Sequence, residues 1–209
     1  MDNAGPFKNY LGKFVQLADN EFNEYLMPVI KIRKFAKNEL LTKAGDVENY
    51  FNFIIKGLIR KYYQKGKHEI NTQISTEGHI IHSQESFHMR SPSEYSIVTI
   101  EPSTVVSISY EDLESVFDKS KKMEHLGRLV ITHTMMLKDR WQTQLLKMTP
   151  RERFLNFVTR NPELMQRVPQ KLLASYLNIK PETFTRLKPL IAEKKKLAAL
   201  PKTKKKQNG

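Results

Sequence analysis

Two short apolar-periodic segments stand back to back between Val168 and Lys188, in VPQKLLASYLNIKPETFTRLK. Leu172, Leu173, Tyr176 and Leu177 recur at helical spacing beside the small Ala174. Asn178, a residue that tolerates the left-handed conformation, marks a stop, and Pro181 sits at a first helical position where its missing N–H costs nothing. Ile179, Phe184 and Leu187 give the second segment an inward face, with Glu182, Thr183, Thr185, Arg186 and Lys188 left outward. Two helices joined by about three residues, with a small residue at their crossing, predict a helix-turn-helix.

Upstream the periods change twice. Residues 7 to 27 predict two short helical pieces broken near Asp19-Asn20. From Val29 the period becomes two, and 28 to 109 predicts short strands at 29–35, 40–41, 50–55, 58–63, 68–74, 95–100 and 105–108. Turn signals at Lys43-Ala44-Gly45-Asp46, Lys56-Gly57, Gln64 to Lys67, Thr76-Glu77-Gly78 and Glu101-Pro102-Ser103 separate them. With no alternation of strand and helix, this is an antiparallel β-roll. Helical pattern resumes at Tyr110 and lengthens from Met123 to Met148, a stretch of about 26 residues spanning roughly 39 Å. Its stripe of Leu126, Leu129, Val130, His133, Leu137 and Trp141 is expected to pair with a second copy of itself, with packing on its own β-roll as the alternative. Thr149-Pro150-Arg151-Glu152 caps a further helix, Pro150 to Thr159.

The expected class is α+β: an N-terminal antiparallel β-roll, a long dimerisation helix and a C-terminal helix-turn-helix domain. The domains are placed at 1–122, 123–148 and 149–200, with a disordered basic tail at 201–209. Net charge is +13, unevenly spread. From Pro150 onward there are 15 Lys and Arg against 4 Asp and Glu, while the first 149 residues hold 20 against 18. A positive field coinciding with a helix-turn-helix points to double-stranded DNA. The absence of cysteine excludes disulfides, thiolate zinc, iron–sulfur clusters and a cysteine nucleophile, and fits a cytoplasmic protein. No apolar run approaches the roughly 18 residues of a membrane span, so no membrane partner is expected. No Ser/His/Asp set, Gly-rich phosphate loop or paired carboxylates sit at telling spacings, so no enzyme is expected. His79, His82 and His88 lack an accompanying carboxylate cluster, so no metal is expected.

The order of elements, with VPQKLLASYLNIKPETFTRLK, FNFIIKGLIRKYY and PSEYSIVTIEPSTVVSISYEDL, resembles the cyclic-AMP receptor protein/Fnr family of bacterial transcription regulators, most of all members from Bacteroidetes-type bacteria. The resemblance implies a β-roll sensor for a small-molecule effector, pairing of two subunits through the long helix, a near-palindromic DNA site, and RNA polymerase as a possible partner. It implies base reading by Glu182 and Arg186, one helical turn apart. Thr183, Thr185, Lys171 and Lys188 are expected to contact bases or phosphates. The effector stretch 79–96 departs from the family. Its Gly-Glu pair is replaced by His82-Ser83, Tyr95 stands before Ser96 where an Arg is expected, and Arg90 is out of register. An effector pocket is expected from His82, Ser83, Glu85, Arg90, Tyr95 and Ser96. A cyclic phosphate without a paired cation is poorly held, so neither cyclic AMP nor any cofactor is expected. Pro189 should end the second helix near Lys188, and IAEKKKLAALPKTKKKQNG carries no hairpin pattern, so the family's two-stranded wing is expected to be missing. Lys194, Lys195, Lys196, Lys202, Lys204, Lys205 and Lys206 then supply phosphate contacts. The alternative is an effector-independent, weakly specific DNA-binding or structural protein that has lost sensing.

Overall fold

Strand β3 (Tyr50–Lys56) is apolar on both faces, and that sets the architecture. Phe51 and Phe53 face a core built with helices, whereas Ile54 faces a second core between two sheets. A strand covered on both sides lies inside the molecule, so its sequence shows no clean alternation, and its one buried amide, Asn52, accepts from the Ser107 hydroxyl at 2.7 Å. The computed structural model describes residues 4–191. Those residues divide between two compact units, one ending at Gln142 and the other beginning at Thr143.

The first unit opens with α1 (Gly5–Leu11) and α2 (Asp19–Glu21), which widens into a π-type turn over Phe22–Leu26. Strands β1 (Lys31–Phe35), β2 (Leu40–Thr42), β3, β4 (Ile59–Lys65), β5 (His68–Ser75), β6 (Ile80–Ile81), β7 (Ser96–Thr99) and β8 (Ser103–Ser109) form two antiparallel sheets. Their orders are β1-β8-β3-β6 and β2-β7-β4-β5. Phe35, Ile54, Ile59, Ile81, Ile97 and Val105 fill the space between the sheets. On the other face of the first sheet, Phe51, Phe53, Val106 and Ile108 pack against Phe7, Leu11, Phe22 and Leu26 and against α4 (Tyr110–Lys119) and α5 (Lys121–Lys147). Ser109 caps α4 by accepting from the Asp112 N–H at 3.1 Å.

Three readings of the sequence change here. The break in the N-terminal helices falls at residues 12–18, ahead of Asp19-Asn20, because Gly12 closes α1 and Phe14, Val15 and Leu17 pack on the core without forming a helix. Helix α3 (Gln84–Met89) and strand β6 lie in a stretch where neither was expected. Leu126 and Val130, placed on a face between two copies, are buried in the protomer's own core, and His133 stacks on Phe14 with ring centroids 5.2 Å apart. A helical stripe records that something covers it, and here the β-roll covers its first half. The apolar side chains that α5 leaves exposed are Met135, Met136, Leu137 and Leu146.

The second unit holds the end of α5, then α6 (Pro150–Arg160), α7 (Leu164–Arg167), α8 (Gln170–Tyr176) and α9 (Pro181–Leu187). Phe154, Phe157, Leu164, Leu173, Ala174, Leu177, Phe184 and Leu187 are its buried apolar residues. The expected helix from Leu190 to Leu200, the missing wing, the tail at 201–209 and the lysines from Lys194 onward lie outside the described residues, except for the first two positions of that helix. No helix among the described residues is long and apolar enough to cross a membrane.

Gly57 turns β3 into β4 at φ 110°, and a Cβ there would stand 2.2 Å from the Ser103 hydroxyl oxygen. Gly57→Ala is therefore expected to destabilise the β-roll by about 2 kcal/mol or more. Chemical denaturation of the two proteins checks this.

Candidate nucleic-acid interface and effector pocket

Helix α9 begins with Pro181 at its first position and follows a turn in which Asn178 adopts φ 50°. The left-handed residue and the proline force the second helix to start in a new direction. Phe184 and Leu187 are buried, and Phe184 meets Phe154 edge to face at 5.2 Å. With that face anchored, Glu182, Thr185 and Arg186 are exposed, Thr183 and Lys188 are half-buried, and Lys171 on α8 is exposed. Glu182 and Arg186 are not joined by an ion pair among the described residues, so both keep their hydrogen-bonding groups open to solvent. Thr185 instead donates to the Pro181 carbonyl at 3.1 Å. Lys180 is the N-cap and caps with no side chain, while α9 ends at Leu187, ahead of Pro189.

A residue that the sequence did not single out orders this unit. Arg153, buried on α6, donates Nε to the Leu177 carbonyl at 3.0 Å and Nη2 to the Asn178 carbonyl at 3.0 Å. Its Nη1 donates to the carbonyls of Leu145 and Met148 at 2.9 and 2.7 Å. One planar fork thus satisfies carbonyls left over at the end of α5 and in the turn between α8 and α9. The same corner is reinforced by the capping box between Thr149 and Glu152 and by the Asn156 amide donating to Gln144 at 3.1 Å.

In the β-roll, six expected pocket residues part company. A cavity of about 110 Å³ is lined by Ser83, Glu85, Ser86, Pro92, Ser93, Glu94 and Tyr95. It gathers Ser83, Glu85 and Tyr95 from the expected set and leaves out the other three. His82 is buried among Phe51, Phe87 and His88, with Nε2 unpartnered. Burial first and the Lys61 charge second push its pKa down to about 3, so the ring is neutral. Arg90, at φ 52°, donates to the Glu48 carbonyl and the Asn49 side chain and lies over the Tyr110 ring. The Ser96 hydroxyl accepts from the Ala44 N–H. No group of three or more metal-ligating side chains occurs among the described residues.

Two buried charges that the sequence reading passed over flank this cavity's residues. Glu48 is 2% exposed and accepts from the Thr42 hydroxyl at 2.7 Å and from the N–H groups of Tyr50 and Ser83. Burial raises its pKa, against the pull of those hydrogen bonds. Lys61 is 6% exposed, donates to the His82 carbonyl at 3.2 Å and sits over the Tyr95 ring. Burial, then repulsion from Lys138, lowers its pKa from 10.5 to about 8. Between those values the unfolded chain holds this proton more tightly than the folded protein, so stability rises with pH. The expected gain from pH 8 to 10.5 is about 3 kcal/mol, measured as the difference between the protein and Lys61→Met, which removes this contribution.

Residues 32–120 match the family model of the cyclic nucleotide-binding domain. No curated protein matches the chain by sequence. Among solved structures, FixK2 from Bradyrhizobium japonicum is 15% identical, with 80% of this chain and 86% of that one covered at a TM-score of 0.68. The c-di-GMP-responsive global regulator CLP of Xanthomonas campestris is 18% identical, with 84% and 93% covered at a TM-score of 0.63. The catabolite activator protein of Thermus thermophilus is 17% identical, with 89% and 88% covered at a TM-score of 0.54. The β-roll is thus a cyclic nucleotide-binding-type domain, and the chain as a whole carries the fold of the cyclic-AMP receptor protein/Fnr regulators.

Proposed function

We propose that the protein is a homodimeric, DNA-binding transcription regulator whose β-roll takes a small effector other than cyclic AMP. The observation that carries the DNA reading is α9, whose inner face is locked by Phe184 and Leu187 while Glu182 and Arg186 stand exposed on the outer one with no ion pair among the described residues. A carboxylate can accept from a cytosine amino group and a guanidinium can pair with guanine O6 and N7. Lys171, Thr183 and Lys188 surround them with phosphate donors, while the Thr185 hydroxyl, which donates to the Pro181 carbonyl, can accept from a base. Each of these assignments is a proposal on this chain's own residues. The fold supports the reading too, since one protein sharing it is a global regulator that links cell–cell signalling to virulence gene expression.

The dimer reading moves along α5. Leu126 and Val130 belong to the protomer's own core, so a partner helix is left with Leu129, Met135, Met136, Leu137, Trp141 and Leu146. Met135, Met136 and Leu137 are 60%, 48% and 43% exposed, an apolar run that water penalises until a second copy covers it. Effector binding then acts by shifting the paired helices, which sets the distance between two recognition helices. Cyclic AMP is excluded because Tyr95 stands where the resemblance places the arginine that pairs with a cyclic phosphate; the positive charge beside the cavity, Lys61, comes from another strand and lies over the Tyr95 ring.

Selection on random duplexes with the purified chain is expected to enrich a near-palindrome, and cyclic AMP should leave its affinity unchanged. Arg186→Ala should relax preference at one base position of each half-site at a cost of about 1–3 kcal/mol. Uniform weakening on all sequences would show that Arg186 touches only phosphate. Binding without enrichment, with a steep salt slope, would favour the effector-independent alternative.

A further inference from the structure

More positive charge is buried inside the β-roll than its neighbours neutralise. Lys61 follows Ile59 by two residues on β4, so both side chains point to the same face of the sheet, and Ile59 is in the core. The ammonium has a single hydrogen-bonding partner, the His82 carbonyl, and no salt bridge reaches it among the described residues. The charge of Lys138, from α5, works against the Lys61 ammonium and helps to keep the His82 ring neutral. Glu48 is the one carboxylate that offsets Lys61, and its oxygens are already occupied by Thr42, Tyr50 and Ser83. An ammonium taken out of water without a paired anion destabilises the fold, a cost that a neutral side chain of similar length avoids.

The cavity beside this charge has a complementary lining. Tyr95, whose ring carries the Lys61 ammonium at 5.3 Å, is one wall, and hydroxyls of Ser83, Ser86 and Ser93 are others. Glu85 and Glu94 also line it. Two carboxylates repel an anionic group set beside them, which leaves that group to the Lys61 side, and they accept hydrogen bonds from hydroxyl groups. We infer that the β-roll binds a small hydroxylated anion, with one carboxylate or phosphate group held by Lys61 and its hydroxyls turned to Glu85 and Glu94. This rests on the reading of the β-roll as an effector site and names the chemistry of its ligand.

Thermal unfolding of the full chain at fixed ionic strength tests it, with gluconate as the carboxylate, glucose 6-phosphate as the phosphate and glucose as the neutral control. At least one anion should raise Tm saturably, by roughly 5–10 °C at about 100 times its dissociation constant, and glucose should not. Lys61→Met should weaken that binding by about 30-fold or more, while Lys67→Ala, in an exposed turn, should leave it unchanged. Without anion, Lys61→Met should unfold at a higher temperature than the wild type, because it removes an uncompensated charge. A lower Tm for that variant, a saturable shift that survives it, or no saturable shift from either anion would each overturn the inference. Response to gluconate alone identifies a carboxylate ligand and response to glucose 6-phosphate alone a phosphate. An anion that binds through Lys61 yet leaves DNA affinity unaltered would sustain the site and sink the regulator reading.

Discussion

A single guanidinium holds the C-terminal unit in register. Helix α5 ends with carbonyls that no later turn of that helix can satisfy, and the turn after α8 bends through a left-handed Asn178 that exposes two more. Arg153 answers both sets from inside α6, with four hydrogen bonds of 2.7 to 3.0 Å. Any shorter or more flexible cation would reach fewer of these oxygens, because only the guanidinium fork spreads its donors across a plane. The direction in which α9 leaves its turn, and hence what Glu182 and Arg186 can touch, depends on this anchor.

Much of this unit was legible in the sequence because its signals are local. Asn178 and Pro181 each act on their own backbone, and Thr149 with Glu152 caps the helix it starts. Arg153 was not legible, since its partners are backbone carbonyls up to 25 residues away and no residue type announces them. The strands of the β-roll were legible from period and turn residues, to within a residue or two at most ends. Strand β6 and helix α3 were not, because two residues and six residues are too short to show a period. The stripe on α5 divides: Leu126 and Val130 are buried against their own β-roll, the alternative cover that the spacing allows, while Leu137 stays exposed. Periodicity reports burial, and the covering partner is a matter of tertiary packing.

The candidate effector site shows the same division. The resemblance gathers His82 and Ser96 by register and Arg90 by nearness along the chain, and in the structure all three are engaged elsewhere. Lys61 escaped that reading, although its place two residues after the buried Ile59, on the same face of β4, is a signal in its own right. An inward lysine is costly unless something repays its desolvation. Where Tyr95 replaces the cation expected of a cyclic-phosphate site, Lys61 restores a positive charge from another strand, and with it a different ligand chemistry.

The central claim is that two copies of α9 read DNA as a fixed pair. Fluorescence anisotropy of the full chain, on duplexes carrying two selected half-sites at varied separation, tests this most directly. The account predicts a sharp affinity maximum with half-site centres about 10–10.5 base pairs apart, one helical turn, or a multiple of that spacing. An affinity that does not change with separation would contradict it.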